Sequence, residues 1–167
     1  MKTLYLFRHA KSSWTNNDAE DFDRPLAPRG RRAAPAMAAH MRKQGYVPDL
    51  VLCSPARRTR ETAALVQPVL GTAIPLRFDD KLYLASAEHI LRQVQAVEDK
   101  VRRLLVIGHN PGLQRLAARL ADDAHARARL GRKFPTAGLA VFEFDVRQWN
   151  DIEAGRLIAF VVPAGLG

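Results

Sequence analysis

Short apolar runs alternate with longer amphipathic stretches along this chain, and the alternation sets the expected elements. Thr3–Phe7, Leu50–Cys53 and Leu104–Ile107 are brief runs rich in Leu, Val or Ile, each followed by a polar loop. Continuous apolar runs of that length suit strands covered on both faces, as in a parallel sheet. Helices are expected over about Pro28–Gln44, Ala56–Val69, Ala87–Val97 and Pro111–Leu120. The first has a turn-type start at Pro28-Arg29-Gly30 and a stop at Gly45. Ser54-Pro55 offers the second an N-cap serine with proline at the first helical position. Two later strands are expected at Leu139–Phe144, which alternates apolar and polar, and at Leu157–Val162. Asn150–Gly155 reads as a hairpin-like connection between them. The basic stretch His125–Phe134 suits either a mobile loop or an extra helix. Strands alternating with helices predict an α/β fold, a three-layer α/β/α sandwich with a mostly parallel central sheet.

Composition agrees with a globular chain. It has 167 residues, 47% of them hydrophobic, with no internal repeat or low-complexity linker. One domain over residues 1–167 is expected. The start, MKTLYLFRHAKSSW, lacks the apolar core of a signal peptide, and no apolar stretch approaches the roughly 20 residues of a membrane span. Cys53 is the single cysteine, so no intrachain disulfide is possible and a cytoplasmic location is expected. The net charge of +9 suits anionic partners. That charge is mostly arginine spread along the chain, with no basic tail and no basic run interleaved with aromatics. A phosphorylated substrate therefore fits better than nucleic acid or a membrane.

Ligands of open α/β sheets bind outside the carboxyl ends of the strands. Three such ends carry chemistry here. Arg8-His9-Ala10-Lys11 follows the first run, Ser54-Pro55-Ala56-Arg57-Arg58 the second, and Gly108-His109-Asn110-Pro111-Gly112 the third. A neutral imidazole is a nucleophile near neutral pH, and an arginine beside it offers phosphate a bidentate fork. Neighbouring helical residues point about 100° apart, so Arg57, Arg58 and Arg60 cannot all face one cleft. Spacing alone does not choose among them. Phosphoryl transfer needs a nucleophile and several fixed donors around the dispersed charge. Metal binding is disfavoured because no HExxH motif is present and the arginines would repel a cation.

These three segments together resemble the histidine phosphatase superfamily, also called phosphoglycerate-mutase-like. Leu6-Phe7-Arg8-His9-Ala10 is similar to its RHG signature, Ser54 to Thr62 to its S-x-x-x-R-[AT]-x-x-T element, and Gly108-His109-Asn110 to its G-H element. Order and spacing agree across nearly the whole chain. The short length and the stretch from Arg24-Pro25-Leu26 to Gly30 look most like the SixA branch, the phosphohistidine phosphatases. The resemblance implies a metal-independent phosphatase without a cofactor. His9 would be the phosphorylated nucleophile. Arg8 and Arg58 would hold the phosphate, and His109 would stabilise the transition state. Arg24 would be a further phosphate contact. Ser12, Asn110 and Thr136 are candidate lining residues. The implied substrate is a phosphohistidine protein or a small phosphorylated molecule, with the chain acting as a monomer.

Two departures matter. Ala10 and Lys11 stand where related enzymes carry glycine and an acidic or amide residue. The superfamily's general acid is also hard to place; Asp79 and Asp80 are the candidates, unless they lie in a solvated turn. A weak acid favours an activated substrate such as a phosphoramidate over a sugar phosphate. The competing readings are a phosphoglycerate-type mutase, a sugar-phosphate phosphatase and a non-catalytic phospho-dependent binding module.

Overall fold

The computed structural model describes residues 1–15 and 19–166. The apolar runs form the middle of a six-stranded sheet. In chain order the strands are β1 (Lys2–Arg8), β2 (Leu50–Cys53), β3 (Leu76–Phe78), β4 (Arg103–Gly108), β5 (Leu139–Phe144) and β6 (Arg156–Val161). Their order across the sheet is β3-β2-β4-β1-β5-β6. The first four are mutually parallel, β5 runs antiparallel to β1, and β6 is antiparallel to β5. The helices are α1 (Pro28–Lys43), α2 (Arg57–Leu70), α3 (Ala87–Gln95), α4 (Gly112–Leu120) and α5 (Ala124–Arg132).

Strand alternation produces the three layers, because successive side chains leave opposite faces. Tyr5, Phe7, Leu105, Ile107, Leu139 and Val141 pack with Met37 and Met41 of α1 and Val66 of α2. Leu4, Leu6, Leu104, Val106 and Phe142 pack with Ile90 of α3, Leu116 of α4 and Leu130 of α5. Each such fully buried side chain is worth roughly 2 kcal/mol. No helix of the described residues is long and apolar enough to cross a membrane.

Two local features differ from the sequence expectation, and at a third the structure takes one of the two alternatives expected. β3 is an edge strand of three residues with Arg77 and Phe78 exposed, so it carries no buried apolar run. The basic stretch after Asp122 is helical: Asp123 caps α5 by accepting from His125 N, and Ala126 and Leu130, one turn apart, are buried. Ser54 is not the N-cap of α2. That helix starts at Arg57 with Ala56 at its cap, and the Ser54 hydroxyl, which accepts from Ala56 N, lies ahead of it against His109. The α1 stop is as expected, with Gly45 just past the helix at φ 77°.

Gly112 matters because α4 begins hard against the turn before α3. A Cβ there would overlap the Ala85 carbonyl, a backbone atom that cannot swing aside. Gly112→Ala is expected to destabilise the fold by about 1–3 kcal/mol, read as a lower denaturation midpoint in urea at unchanged slope.

Candidate active site

β4 lies between β1 and β2, so the loops that follow these three strands adjoin at one sheet edge. The backbone stitches them together: His9 N donates to Gly108 O at 3.1 Å and Ser54 N to Ile107 O at 3.1 Å. They enclose a cleft of about 260 Å³. Arg8, His9, Arg58, His109 and Arg24 all line it, as do Ser12, Asn110 and Thr136. Asp79 and Asp80 do not. Asp79 accepts from Lys81 N in a short turn, and Asp80 is exposed.

His9 is 6% exposed, and its Nδ1 lies 2.7 Å from the Ala10 carbonyl. A carbonyl only accepts, so Nδ1 carries the proton and Nε2 keeps its lone pair. Burial, joined by Arg58, Arg8 and Arg24 and partly opposed by the bond to Ala10, lowers the His9 pKa to about 3. The imidazole is therefore neutral at neutral pH. Ala10 tolerates its Cβ because it avoids the left-handed region. Its N–H donates to Thr62 Oγ1 at 3.0 Å, which ties the signature loop to α2.

His109 is 2% exposed, and its pKa is likewise lowered to about 3, by burial and then by His9 and Arg58. Its Nε2 lies 2.7 Å from Ser54 Oγ. That hydroxyl already accepts from Ala56 N at 3.3 Å and has no other acceptor among the described residues. Its proton therefore goes to His109 Nε2, leaving Nδ1 as the protonated nitrogen. His109 Nδ1, Arg8 Nε and Arg58 Nε are buried without partners among the described residues. A buried donor left unpaired costs about 1–3 kcal/mol, so an anion with several acceptor oxygens has a basis for favourable binding here.

The arginines separate as the helix geometry requires. Arg57 pairs with Glu61 at 3.0 Å, and Arg60 donates to the Pro55 carbonyl at 2.8 Å. Arg58 turns to the cleft, where Nη1 donates to the Asp21 carbonyl and Nη2 to Asp21 Oδ2 at 3.1 Å. Arg24 donates to Asp21 Oδ1 at 3.2 Å and to Ser12 Oγ at 2.9 Å, and stacks on the exposed Trp14 ring. Arg8 donates to the Phe134 carbonyl at 3.1 Å, which Asn110 Nδ2 also reaches.

Sequence reasoning missed Asp21 and Tyr83. Tyr83 donates to Asp21 Oδ2 at 2.5 Å, so one carboxylate gathers Arg24, Arg58 and Tyr83. Burial would raise the Asp21 pKa, but the bonds from Tyr83 and Arg58 outweigh it and hold the carboxyl below its usual range. The local signal was the i,i+3 spacing of Asp21 and Arg24. Leu84 and Ala137, beside the cleft, adopt left-handed φ values of 50° and 58° without being glycine. Ala137 N donates to both Arg8 O and His9 O, which fixes the end of β1. Among the described residues, four cationic side chains, Arg8, Lys11, Arg24 and Arg58, thus face one ionised carboxylate around a buried neutral imidazole. Chemically, the site can bind an oxyanion and offer a nitrogen nucleophile.

Comparison with known proteins agrees with this chemistry. A family model described as histidine phosphatase superfamily (branch 1) matches residues 4–83. The uncharacterised protein Rv1276c of Mycobacterium tuberculosis strain H37Rv is 40% identical over 162 residues, covering 93% of this chain and 99% of its own. The crystal structure of the candidate phosphohistidine phosphatase SixA from Agrobacterium tumefaciens superposes with a TM-score of 0.85 at 32% identity, covering 97% of this chain and 98% of that one. A second candidate SixA, from Nakamurella multipartitia, matches with a TM-score of 0.85 at 30% identity, covering 97% of this chain and 96% of that one.

Proposed function

The chain belongs to the histidine phosphatase superfamily, with SixA-type proteins among its structural neighbours, and from that premise we propose that it hydrolyses protein phosphohistidine through a phospho-His9 intermediate. One observation carries the reading. A buried imidazole stays neutral, with Nδ1 pinned by the Ala10 carbonyl and Nε2 free, inside a cationic cleft.

The reaction has two displacements. His9 Nε2 attacks the phosphorus in line, forming a new P–N bond as the substrate's P–N bond breaks; the substrate ring, protonated on its other nitrogen, takes that electron pair and leaves as neutral imidazole. Arg8, Arg24 and Arg58 hold the phosphoryl oxygens, and His109 Nδ1–H donates to one of them. Water then attacks phosphorus and returns the electron pair to Nε2, releasing inorganic phosphate.

Asp21 narrows the substrate. Among the described residues it is the one carboxylate that lines the cleft, and three donors keep it ionised, so it has no proton to give a leaving group. An alkoxide needs such a proton; a phosphohistidine ring protonated by solvent on its other nitrogen leaves as a neutral base without one. General acid catalysis is worth about 10²–10⁴-fold. The kcat/KM on a phosphohistidine protein is therefore expected to exceed that on glycerol 3-phosphate by at least about 100-fold. Comparable rates on the two would contradict the reading.

Ser54 tests the tautomer. Ser54→Ala removes the donor that keeps His109 protonated on Nδ1, with a lost hydrogen bond worth about 1–1.5 kcal/mol. A roughly 10-fold fall in kcat with little change in KM is expected, and Ser54→Thr is expected to restore part of it.

A further inference from the structure

A second cavity opens beside the phosphate cleft and shares two of its walls, Lys11 and Thr136. It is the larger of the two, at about 430 Å³. Five cationic residues surround it. Lys11 comes from the loop after β1, Arg29 from α1, Arg129 and Arg132 from α5, and Lys133 from just beyond α5. Among the described residues no carboxylate lines it, and none of the five takes part in an ion pair. Its floor is apolar, with Phe160, Val162, Pro163 and Ala33.

Five like charges around one hollow repel each other, so local stability does not explain the arrangement. Arg129 and Arg132 do sit in the last turn of α5, where the helix dipole favours cations. Arg29 lies in the first turn of α1, where that dipole disfavours them. It nevertheless joins the same ring from the facing wall. Arg129 is also held in place: it donates to the Phe160 carbonyl at 3.2 Å and lies over the Phe160 ring. All five residues are exposed, and they rim an apolar floor. A charged rim around an apolar centre is the pattern of a protein-docking patch. A small-anion site would present a few buried, convergent donors instead.

We propose that this cavity receives an acidic, partly apolar stretch of the phosphoprotein whose phosphohistidine enters the His9 cleft. Aspartate or glutamate side chains meet the rim, and an apolar neighbour covers Phe160 and Val162. The inference rests on the phosphohistidine reading above. The cationic rim also steers acidic partners toward the cleft, an effect that salt screens.

The test uses three substrates: p-nitrophenyl phosphate, which fills only the His9 cleft, and two phosphohistidine peptides of equal length with acidic or neutral flanks. The wild-type enzyme is expected to show kcat/KM at least about 5-fold higher on the acidic peptide, a preference that shrinks as salt rises. The doubly reversed variant, Arg29→Glu with Arg132→Glu, is expected to lose or invert that preference while keeping its p-nitrophenyl phosphate rate. Equal wild-type rates on the two peptides, or a preference that survives the reversal, would overturn the docking inference alone. Turnover of p-nitrophenyl phosphate but of neither peptide would instead overturn the phosphohistidine reading, and the docking inference with it.

Discussion

Replacing His9 by alanine is expected to cut phosphatase turnover by about 10⁴-fold or more, with the fold intact by circular dichroism. No neighbour among the described residues is placed to take over. His109 shares the cleft, but its Nε2 accepts the Ser54 hydroxyl proton and its Nδ1 is protonated, so neither nitrogen offers a free lone pair. The arginines remain to bind phosphate, so the variant keeps affinity for the anion while losing turnover. Steady-state kinetics on p-nitrophenyl phosphate, with orthovanadate affinity measured alongside, separates the two. Retention of even a tenth of the wild-type rate would remove His9 from the mechanism.

Arg58→Ala is expected to cost about 10²–10³-fold in kcat/KM, the usual loss when one donor to a developing oxyanion is removed. Arg58 acts in two ways. Its guanidinium lines the cleft beside Arg8, Arg24 and His109, and it also bonds the Asp21 carbonyl and carboxylate. Without it, Asp21 keeps Arg24 and Tyr83 but loses a counter-charge, and an anion's affinity falls with the net charge of the cleft. Arg58→Lys is expected to recover little, because an ammonium cannot reproduce the planar fork. A further sign follows. Arg58 is one of the groups that lower the His9 pKa, so its removal raises that pKa from about 3 toward the usual imidazole range. Burial, the larger cause, remains, so the acid limb of the pH–rate profile moves up by only part of the gap. A variant with a nearly normal rate would move the phosphate site away from Arg58.

Much of this was legible in the chain, for physical reasons. β1, β2 and β4 are covered on both faces along their middles and had to be apolar there, and that same burial aligned Arg8, His9, Arg58 and His109 at one edge. β3 left no trace because an exposed edge strand needs no apolar run. Ser54 looked like a helix cap, yet a tertiary neighbour 55 residues away took its hydroxyl. Asp21 escaped because its bonds to Arg58 and Tyr83 span 37 and 62 residues. Only its local spacing to Arg24 was visible. The charge of the basic segment was plain, but its helix depends on Leu130 reaching the core, and its place beside the cleft depends on the Phe134 carbonyl meeting Arg8 and Asn110.

The most direct measurement is chemical. The enzyme is mixed with a phosphoramidate, quenched in alkaline denaturant within the first turnovers, and digested for mass spectrometry of the peptide containing residues 3–11. A phosphoryl group on His9 that survives alkali, is lost in acid and is absent from His9→Ala is the predicted result. Rapid phosphate release with no phosphohistidine at any quench time, or with the phosphoryl group on His109 instead, would contradict it.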